Sequence, residues 1–149
     1  MEIMKQMLKA ASRVDFAMFT FAQSSGIDDT MIRLVGQRLT IRGVLDHGQG
    51  AQKWAATKPL KAAGVGLFEN KPGTGVRKVH HKLMVIDDRL IIAGSFNYTA
   101  PANTLNDENI VVIGDLEETD PTAEANQRQL AEFARTEIDR IITQLARPV

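Results

Sequence analysis

The chain has 149 residues, the size of one ordinary domain, so two large domains are excluded. Apolar residues make up 44% of it and charged residues 24%, which is enough to bury a core and argues against disorder. The absence of cysteine excludes disulfides, thiolate zinc sites and a cysteine nucleophile. Eighteen basic side chains balance eighteen acidic ones, but residues 1–90 carry fourteen basic and eight acidic groups and residues 91–149 four and ten. Residues 1–90 therefore carry a net charge of +6, so an anionic ligand is not excluded by the neutral total.

Two further features bear on location. No apolar run approaches the ~18 residues that a bilayer-spanning helix needs. The start, Met-Glu-Ile-Met-Lys, lacks the basic and then apolar layout of a signal peptide. We therefore expect a soluble protein and favour a cytoplasmic location.

The first half of the chain alternates between helix and strand patterns. An amphipathic helix is predicted over residues 2–12 from apolar side chains at helical spacing. The segments that follow are a buried strand at 14–21, a helix at 28–38 capped by Asp28, a strand at 39–45, a helix at 51–63 and a strand at 64–68. Such alternation is typical of a parallel sheet.

The pattern changes after residue 79. Strands at 79–86 and 90–93 are joined by a tight turn, and a further strand is predicted at 109–113. A C-terminal helix over 122–146 opens after Pro121, and its apolar stripe is interpreted as core or dimer surface. We predict an α/β fold: one domain over 1–149, with a mixed, mostly parallel sheet flanked by helices on both faces. Trp54 and the phenylalanines are expected in the core more often than as base-stacking platforms, because aromatic residues at 5% are sparse for a single-strand binder.

Polar residues stand out in the predicted strand at 79–86. Side chains two apart share a face of a strand, so His80 and Lys82 point the same way and His81 points away from them. Ser95 and Asn97 can join the first pair when the hairpin folds back. An imidazole, an ammonium, a hydroxyl and an amide together suit a phosphate.

Phosphodiester cleavage explains why these residue types are needed. The reaction requires a nucleophile on phosphorus, a proton for the leaving oxygen, and positive charge or donors for the nonbridging oxygens. Imidazole can fill either of the first two roles, and Lys82, Ser95 and Asn97 can fill the third without a metal. Glu108 is a candidate to accept the second ring N–H of His80.

The spacing of these residues resembles the signature of the phospholipase D superfamily without a mismatch: His80, Lys82, Asp87, Gly94, Ser95 and Asn97. The flanking segments 19–20, 42–46 and 108–109 also resemble the family pattern, and the resemblance covers roughly residues 4–115. It implies a phospholipase D-like fold and a metal-independent phosphodiesterase, with no cofactor.

The resemblance also implies a role for each matched residue. One histidine attacks phosphorus to form a phosphohistidine, a histidine of another motif copy protonates the leaving alcohol, and His80 could be either. Lys82, Ser95 and Asn97 would hold the phosphate, and Glu108 would orient the histidine. Asp87 lies seven positions from His80 and faces away by strand parity, so we expect it to give supporting hydrogen bonds.

The chain holds one copy of the motif, whereas the mechanism implied by the resemblance needs two. Small single-motif members of the family solve this by dimerising across the active site, and we expect a homodimer. The alternative is that this chain is the C-terminal half of a longer two-motif protein, which would supply the missing copy.

The substrate is left open between two classes. Nucleic acid is preferred because compact single-motif relatives tend to be nucleases and because Lys71, Arg77 and Lys78 could form a basic approach to the motif. Cleavage of phospholipid headgroups is the close alternative, and a catalytically silent phosphodiester-binding or dimerising half-domain is the second. A solvated lysine-rich loop is the other interpretation of the basic segment.

The remaining histidines indicate no metal site. His81 is expected to be structural or a rim contact, and His47 is left unassigned. Zinc bound by these two and His80 is disfavoured because adjacent histidines in a strand diverge and no cysteine is available.

Overall fold

The computed structural model describes the backbone of residues 1–149 and the side chains of all of them except Asn103. The strands are β1 (Arg13–Met18), β2 (Thr40–Leu45), β3 (Gly66–Asn70), β4 (Lys82–Ile86), β5 (Leu90–Gly94), β6 (Ile110–Ile113) and β7 (Ala146–Pro148). The helices are α1 (Glu2–Met7), α2 (Ile27–Gly36), α3 (His47–Gly50), α4 (Thr57–Ala62), α5 (Ala100–Thr104) and α6 (Pro121–Arg140). A short 3₁₀ turn lies at Gln23–Ser25 and a π-helical turn at Ile141–Leu145.

One mixed sheet of seven strands, in the order β6-β5-β4-β1-β2-β3-β7, forms the centre of the molecule. This confirms the predicted α/β class, but "mostly parallel" is wrong in detail. Only β1–β2 and β2–β3 pair in parallel, whereas the other four neighbouring pairs are antiparallel. The difference arises because the chain turns from helical crossovers to hairpins after β3 and adds β7 at the far edge.

Helices cover both faces of the sheet, as predicted. On one face, side chains of α1, α2 and α4 pack on the apolar residues of β1 and β4. On the other, α6 and the π-helical turn pack on a smaller cluster that includes Ala17, Val44 and Val85. Burial on both sides explains why four of the six residues of β1 are apolar, and the buried Asp15 is paired with Arg13 and Arg42.

Three predicted boundaries differ from the structure. Asp28 lies within the first turn of α2 and is buried, because Gly26 in the left-handed region begins the helix instead. Residues 51–56 are not helical, so only α4 forms within the predicted helix at 51–63, and the short helix α3 precedes it. The C-terminal helix ends as regular α-helix at Arg140, and Ala146 already belongs to β7, where pairing with Asn70 competes with continued helix.

Candidate active site

The carboxyl ends of β1, β2 and β3 gather the polar residues at one edge of the sheet. The antiparallel partners begin or end at the same edge, because Met18 pairs with Lys82 and Leu83 with Ala93. Gly94 in turn pairs with Ile110, at the start of β6. His80, Ser95 and Glu108 are therefore brought to one edge although they are far apart in sequence.

His80 is exposed and lies just before β4, not within a strand as predicted. Its ring rests against Phe19, with the two ring centroids 4.5 Å apart and the planes tilted by 50°. Main-chain pairing extends to its neighbour, since the Phe19 N–H donates to the His81 carbonyl at 2.9 Å. The backbone is thus fixed on the sheet while the His80 imidazole remains open to a ligand.

Two ammonium groups share the Phe19 ring with His80. Lys82 Nζ lies 5.3 Å and Lys78 Nζ 5.6 Å from its centroid, within cation–π range. Lys82 Nζ also donates to the His80 carbonyl oxygen at 3.0 Å. Burial lowers the pKa of Lys82 from its ordinary value, and the charge of Glu108 opposes this effect. The sequence places Phe19 only in a segment that flanks the motif. Its contact with these three groups is a feature of the tertiary structure.

Ser95 and Glu108 form a direct pair, because the Ser95 hydroxyl donates to Glu108 Oε2. The other carboxylate oxygen accepts from the Asn106 amide at 3.3 Å. No hydrogen bond between Glu108 and His80 occurs among the side chains that the structure describes, so that predicted contact is not made in this single chain. The reason is the strand order: β5 separates the segment before β4 from the segment before β6, and each strand spacing is about 4.8 Å.

Gly94 explains how Ser95 reaches Glu108. A Cβ at Gly94 would lie 2.2 Å from the Asn109 carbonyl oxygen, so the two chain segments approach more closely than any side chain permits. The Ser95 N–H then donates to that carbonyl at 3.1 Å, and the Asn109 N–H donates to Ser95 Oγ at 3.1 Å.

Asn97 is held in place by its buried neighbour Tyr98. The Tyr98 N–H donates to the Thr20 carbonyl at 3.0 Å, and the Tyr98 carbonyl accepts from the Ala22 N–H at 2.8 Å. Asn97 Oδ1 is buried and has no hydrogen-bond partner among the described residues.

Asp87 lies at the opposite end of β4 from His80, in the turn to β5. Its carboxylate accepts from the N–H groups of Ala11, Ser12 and Arg13 and from the Ser12 hydroxyl, at 2.6–2.8 Å. Burial opposes ionisation, but the hydrogen bonds from Ala11, Arg13 and Ser12 outweigh it and lower the pKa of Asp87. These bonds hold the turn between β4 and β5 against the segment that leads into β1. Supporting hydrogen bonds of this type are what strand parity suggests for Asp87.

His81 points to the other face of the sheet. Its Nε2 lies 3.3 Å from Glu137 Oε1 on α6, while Nδ1 is buried without a partner among the described residues. His81 therefore contacts the C-terminal helix and lies away from the His80 side.

The three predicted approach residues, Lys71, Arg77 and Lys78, line a cleft of about 800 Å³ that is formed by the connection from β3 to β4 and by residues 46–49 after β2. Its inner wall carries Asp46, whose carboxylate accepts from the N–H groups of Gln49 and Val79 at 3.0 and 3.2 Å. We call this the basic cleft. Its lining reaches Lys78, two residues before His80, and both of these side chains lie against the Phe19 ring.

His47, which the sequence left unassigned, also lines the basic cleft. Its Nδ1 lies 2.9 Å from Glu69 Oε2, and Arg147 donates to the same carboxylate at 2.8 Å. Burial would raise the pKa of Glu69, but these two partners lower it. His47 is therefore engaged in an ion-pair network. No group of three metal-ligating side chains is found among the residues that the structure describes.

Trp54 corrects the expectation that it belongs to the core. Its side chain is 44% exposed, and Phe133 on α6 is 79% exposed, whereas Phe16 and Phe21 are buried. Leu130 is also exposed, so two members of the predicted stripe on the C-terminal helix do not reach the core. Within the described residues, no helix is both long and apolar enough to cross a membrane.

Comparison with known proteins relates this arrangement to one family. The family model described as "Cardiolipin synthase, PLD-like domain" matches residues 3–136. A mitochondrial cardiolipin hydrolase of Chlamydomonas reinhardtii is 30% identical over 106 residues, which cover 71% of this chain and 46% of that protein. A phospholipase D of Rickettsia felis is 33% identical over 103 residues, covering 65% and 50%. The chain thus spans about half the length of these curated relatives.

Solved structures agree on the fold. Nuc of Salmonella typhimurium, described as a phospholipase D family member, superposes with a TM-score of 0.82 and 19% identity, covering 99% of this chain and 88% of that one. NucT of Helicobacter pylori gives a TM-score of 0.78 at 14% identity, covering 97% and 87%. With the family match over residues 3–136, the chain belongs to the phospholipase D superfamily of phosphodiester hydrolases.

Proposed function

We propose that this protein is a metal-independent phosphodiesterase that acts through a phosphohistidine, with nucleic acid as its substrate. The observation that carries the proposal is the His80 imidazole, exposed beside two ammonium groups at the edge where Ser95 and Asn97 also lie. A phosphate within reach of these side chains meets a nucleophile and the positive charge that its oxygens need.

The reaction needs two histidines and proceeds in two displacements. In the first, an unprotonated imidazole nitrogen of one histidine forms a bond to phosphorus, the bond to the leaving oxygen breaks, and a second, protonated histidine gives that oxygen its proton. In the second displacement, the histidine that gave up its proton takes a proton from water. The water oxygen bonds to phosphorus, and the bond between phosphorus and the nucleophilic histidine breaks. Lys82, Ser95 and Asn97 would hold the nonbridging oxygens throughout.

The second histidine must come from another copy of the motif, because each chain carries one His-x-Lys signature. We propose a homodimer in which two such edges face each other, or a longer chain that supplies the second motif. The solvent exposure of His80 leaves this edge open to such a neighbour.

Nucleic acid is favoured as substrate by the basic cleft, where three cationic side chains lie against one buried carboxylate. A strand with several phosphates can use this charge, whereas a single headgroup diester needs fewer cations. Phospholipid is the second candidate, because two similar proteins are named cardiolipin hydrolase and phospholipase D.

Hydrolysis of bis(p-nitrophenyl) phosphate with excess chelator tests the chemistry. We expect activity in the wild type, loss of at least about 1,000-fold in His80→Ala, and retention in the matched control His81→Gln, whose side chain faces α6. Acid-labile phosphate trapped on His80 would identify the nucleophile. No hydrolysis by a protein that light scattering finds dimeric would refute the proposal and favour the silent binding module.

The substrate class is tested with equal phosphate concentrations of single-stranded DNA, duplex DNA, RNA, phosphatidylcholine and cardiolipin. We expect the highest kcat/KM on a nucleic acid and a rate that falls with added salt, because the basic cleft exchanges counterions for phosphates. Faster cleavage of cardiolipin than of every nucleic acid would select the phospholipid alternative. A strict monomer that is nevertheless active at micromolar concentration would contradict the shared site.

A further inference from the structure

Trp54 combines an exposed ring with a fixed backbone. Its carbonyl oxygen accepts from the Gln23 N–H at 3.0 Å, and the next residue, Ala55, forms an antiparallel bridge with Ala22. The indole is 44% exposed although the chain on either side is anchored, and Ala55 is buried. An apolar ring held rigidly in solvent loses little conformational entropy when a ligand covers it.

The ring lines a second cleft, of about 320 Å³, whose lining side chains are all uncharged. We call it the tryptophan cleft. Its volume lies at the lower end of the ~300–1,000 Å³ range of ligand pockets. Thr99 and Pro101 also line it, as do the hydroxyl and amide groups of Thr20, Ser24 and Gln49.

The tryptophan cleft lies beside the candidate active site. Thr20 directly follows Phe19, against which the His80 ring packs, and Thr99 lies two residues after Asn97. Gln49 lines both this cleft and the basic cleft, and the Thr20 hydroxyl donates to its Oε1 at 3.2 Å. The two clefts therefore meet at Gln49, with cations along one and an indole in the other.

We propose that Trp54 is a stacking platform for a nucleobase of a single-stranded nucleic acid whose phosphates lie along the basic cleft. The inference rests on the proposed function and specifies the substrate as a strand with unpaired bases. An aromatic face next to a positively charged groove is the combination that recognises single strands, because every base has a π-face and every nucleotide a charge. The cations of the adjoining basic cleft favour a nucleotide strand over an uncharged acyl chain.

Fluorescence gives a direct test, since the chain has a single tryptophan. The inactive His80→Ala protein is titrated with a dT oligonucleotide and with an abasic strand of equal length and charge. We expect the first to quench the Trp54 emission and the abasic strand to bind, by anisotropy of an end label, with little quenching. Equal quenching by both strands, or binding of the oligonucleotide without quenching, would overturn the proposal.

Variants supply a second readout. We expect Trp54→Ala to weaken oligonucleotide binding by roughly 5- to 100-fold and Trp54→Phe to restore most of it, while affinity for the abasic strand changes little. The matched control is Phe133→Ala, which removes a more exposed aromatic ring on α6, and it should bind as the parent does. Equal losses in Trp54→Ala and Phe133→Ala would contradict a specific platform.

Two further outcomes separate this inference from its competitors. A blue shift of Trp54 emission on cardiolipin vesicles, with no response to oligonucleotide, would assign the ring to a lipid surface and overturn the proposal. Emission that changes only on dilution of the protein would assign it to a contact between copies and overturn it likewise. If oligonucleotides are cleaved but Trp54→Ala behaves as wild type, the platform fails while the phosphodiesterase proposal stands. If no nucleic acid is bound or cleaved, the platform and the nucleic-acid substrate both fail, whereas the phosphodiesterase chemistry is decided by bis(p-nitrophenyl) phosphate.

Discussion

Asp87 belongs to the motif by sequence, yet its contacts predict that replacing it affects stability more than chemistry. The Asp87→Ala substitution removes four hydrogen bonds to the segment Ala11–Arg13, which leads into β1. Three of the four are exposed, so water can replace the lost acceptor. Counting ~0.5–1 kcal/mol for each bond, we expect a loss of about 2–4 kcal/mol in the free energy of unfolding.

Asp87→Asn is the matched variant. Asp87 has φ of 53°, a backbone conformation that asparagine also tolerates, so the turn itself is preserved. The remaining oxygen can keep the three bonds that Oδ1 accepts, but the new amide group faces the Ala11 N–H and cannot accept from it. We expect about half of the loss caused by alanine. Urea unfolding followed by far-UV circular dichroism at pH 7 measures both values.

The contribution of Asp87 depends on pH. Its pKa is lower in the folded state than the ~3.9 of an unfolded aspartate, because hydrogen bonds outweigh the effect of burial. The stabilisation is therefore complete above about pH 4 and is lost as pH falls through the folded pKa, so the difference between wild type and Asp87→Ala should shrink there. A variant that is as stable as wild type at pH 7 but inactive would refute the structural role, as would a stability gap independent of acid pH.

Two further substitutions probe the site. Phe19→Leu should lower kcat/KM on bis(p-nitrophenyl) phosphate by roughly 10-fold or more and shift the pH profile of kcat/KM, because the aromatic face contacts His80 and two ammonium groups. Phe19→Tyr keeps that face and should retain most activity. If the leucine variant is as active as the wild type, the ring does not position these groups. Gly94→Ala should lower both the activity and the free energy of unfolding, because its Cβ would lie 2.2 Å from the Asn109 carbonyl oxygen and the backbone must shift and displace Ser95. Loss of activity with an unchanged Ser95–Glu108 contact in a crystal structure would contradict that reason.

Particular elements show how far the sequence reaches. The mostly apolar segment at 14–21 predicts a strand covered on both faces, and helices do cover both faces of β1, which ends at Met18. The alternation of His80 and His81 also holds, since one ring meets Phe19 and the other Glu137. Both results follow from local periodicity, which depends only on backbone geometry. The exact ends of elements are less predictable: β4 begins at Lys82 and not at residue 79, and Ala146 belongs to β7 and not to the predicted C-terminal helix.

Contacts between distant segments could not be predicted from the sequence. Glu108 bonds to Ser95 instead of His80 because the strand order inserts β5 between them. Trp54 is exposed although the next residue, Ala55, is buried and bridges to Ala22. Neither strand order nor exposure has a local signal, since each depends on which surfaces the folded chain buries against one another.

The sequence by itself determined the residue types and spacing of the phosphate chemistry and the α/β class, because motif spacing and hydrophobic periodicity are local properties of the chain. The tertiary structure alone decided that Phe19 lies against His80 and near both ammonium groups, and that the basic cleft meets the tryptophan cleft at Gln49. These arrangements arise from antiparallel pairing, which brings the starts of β4 and β6 to the same edge as the ends of β1 and β5. Pairing across the sheet is a property of the whole fold, so no segment encodes it alone.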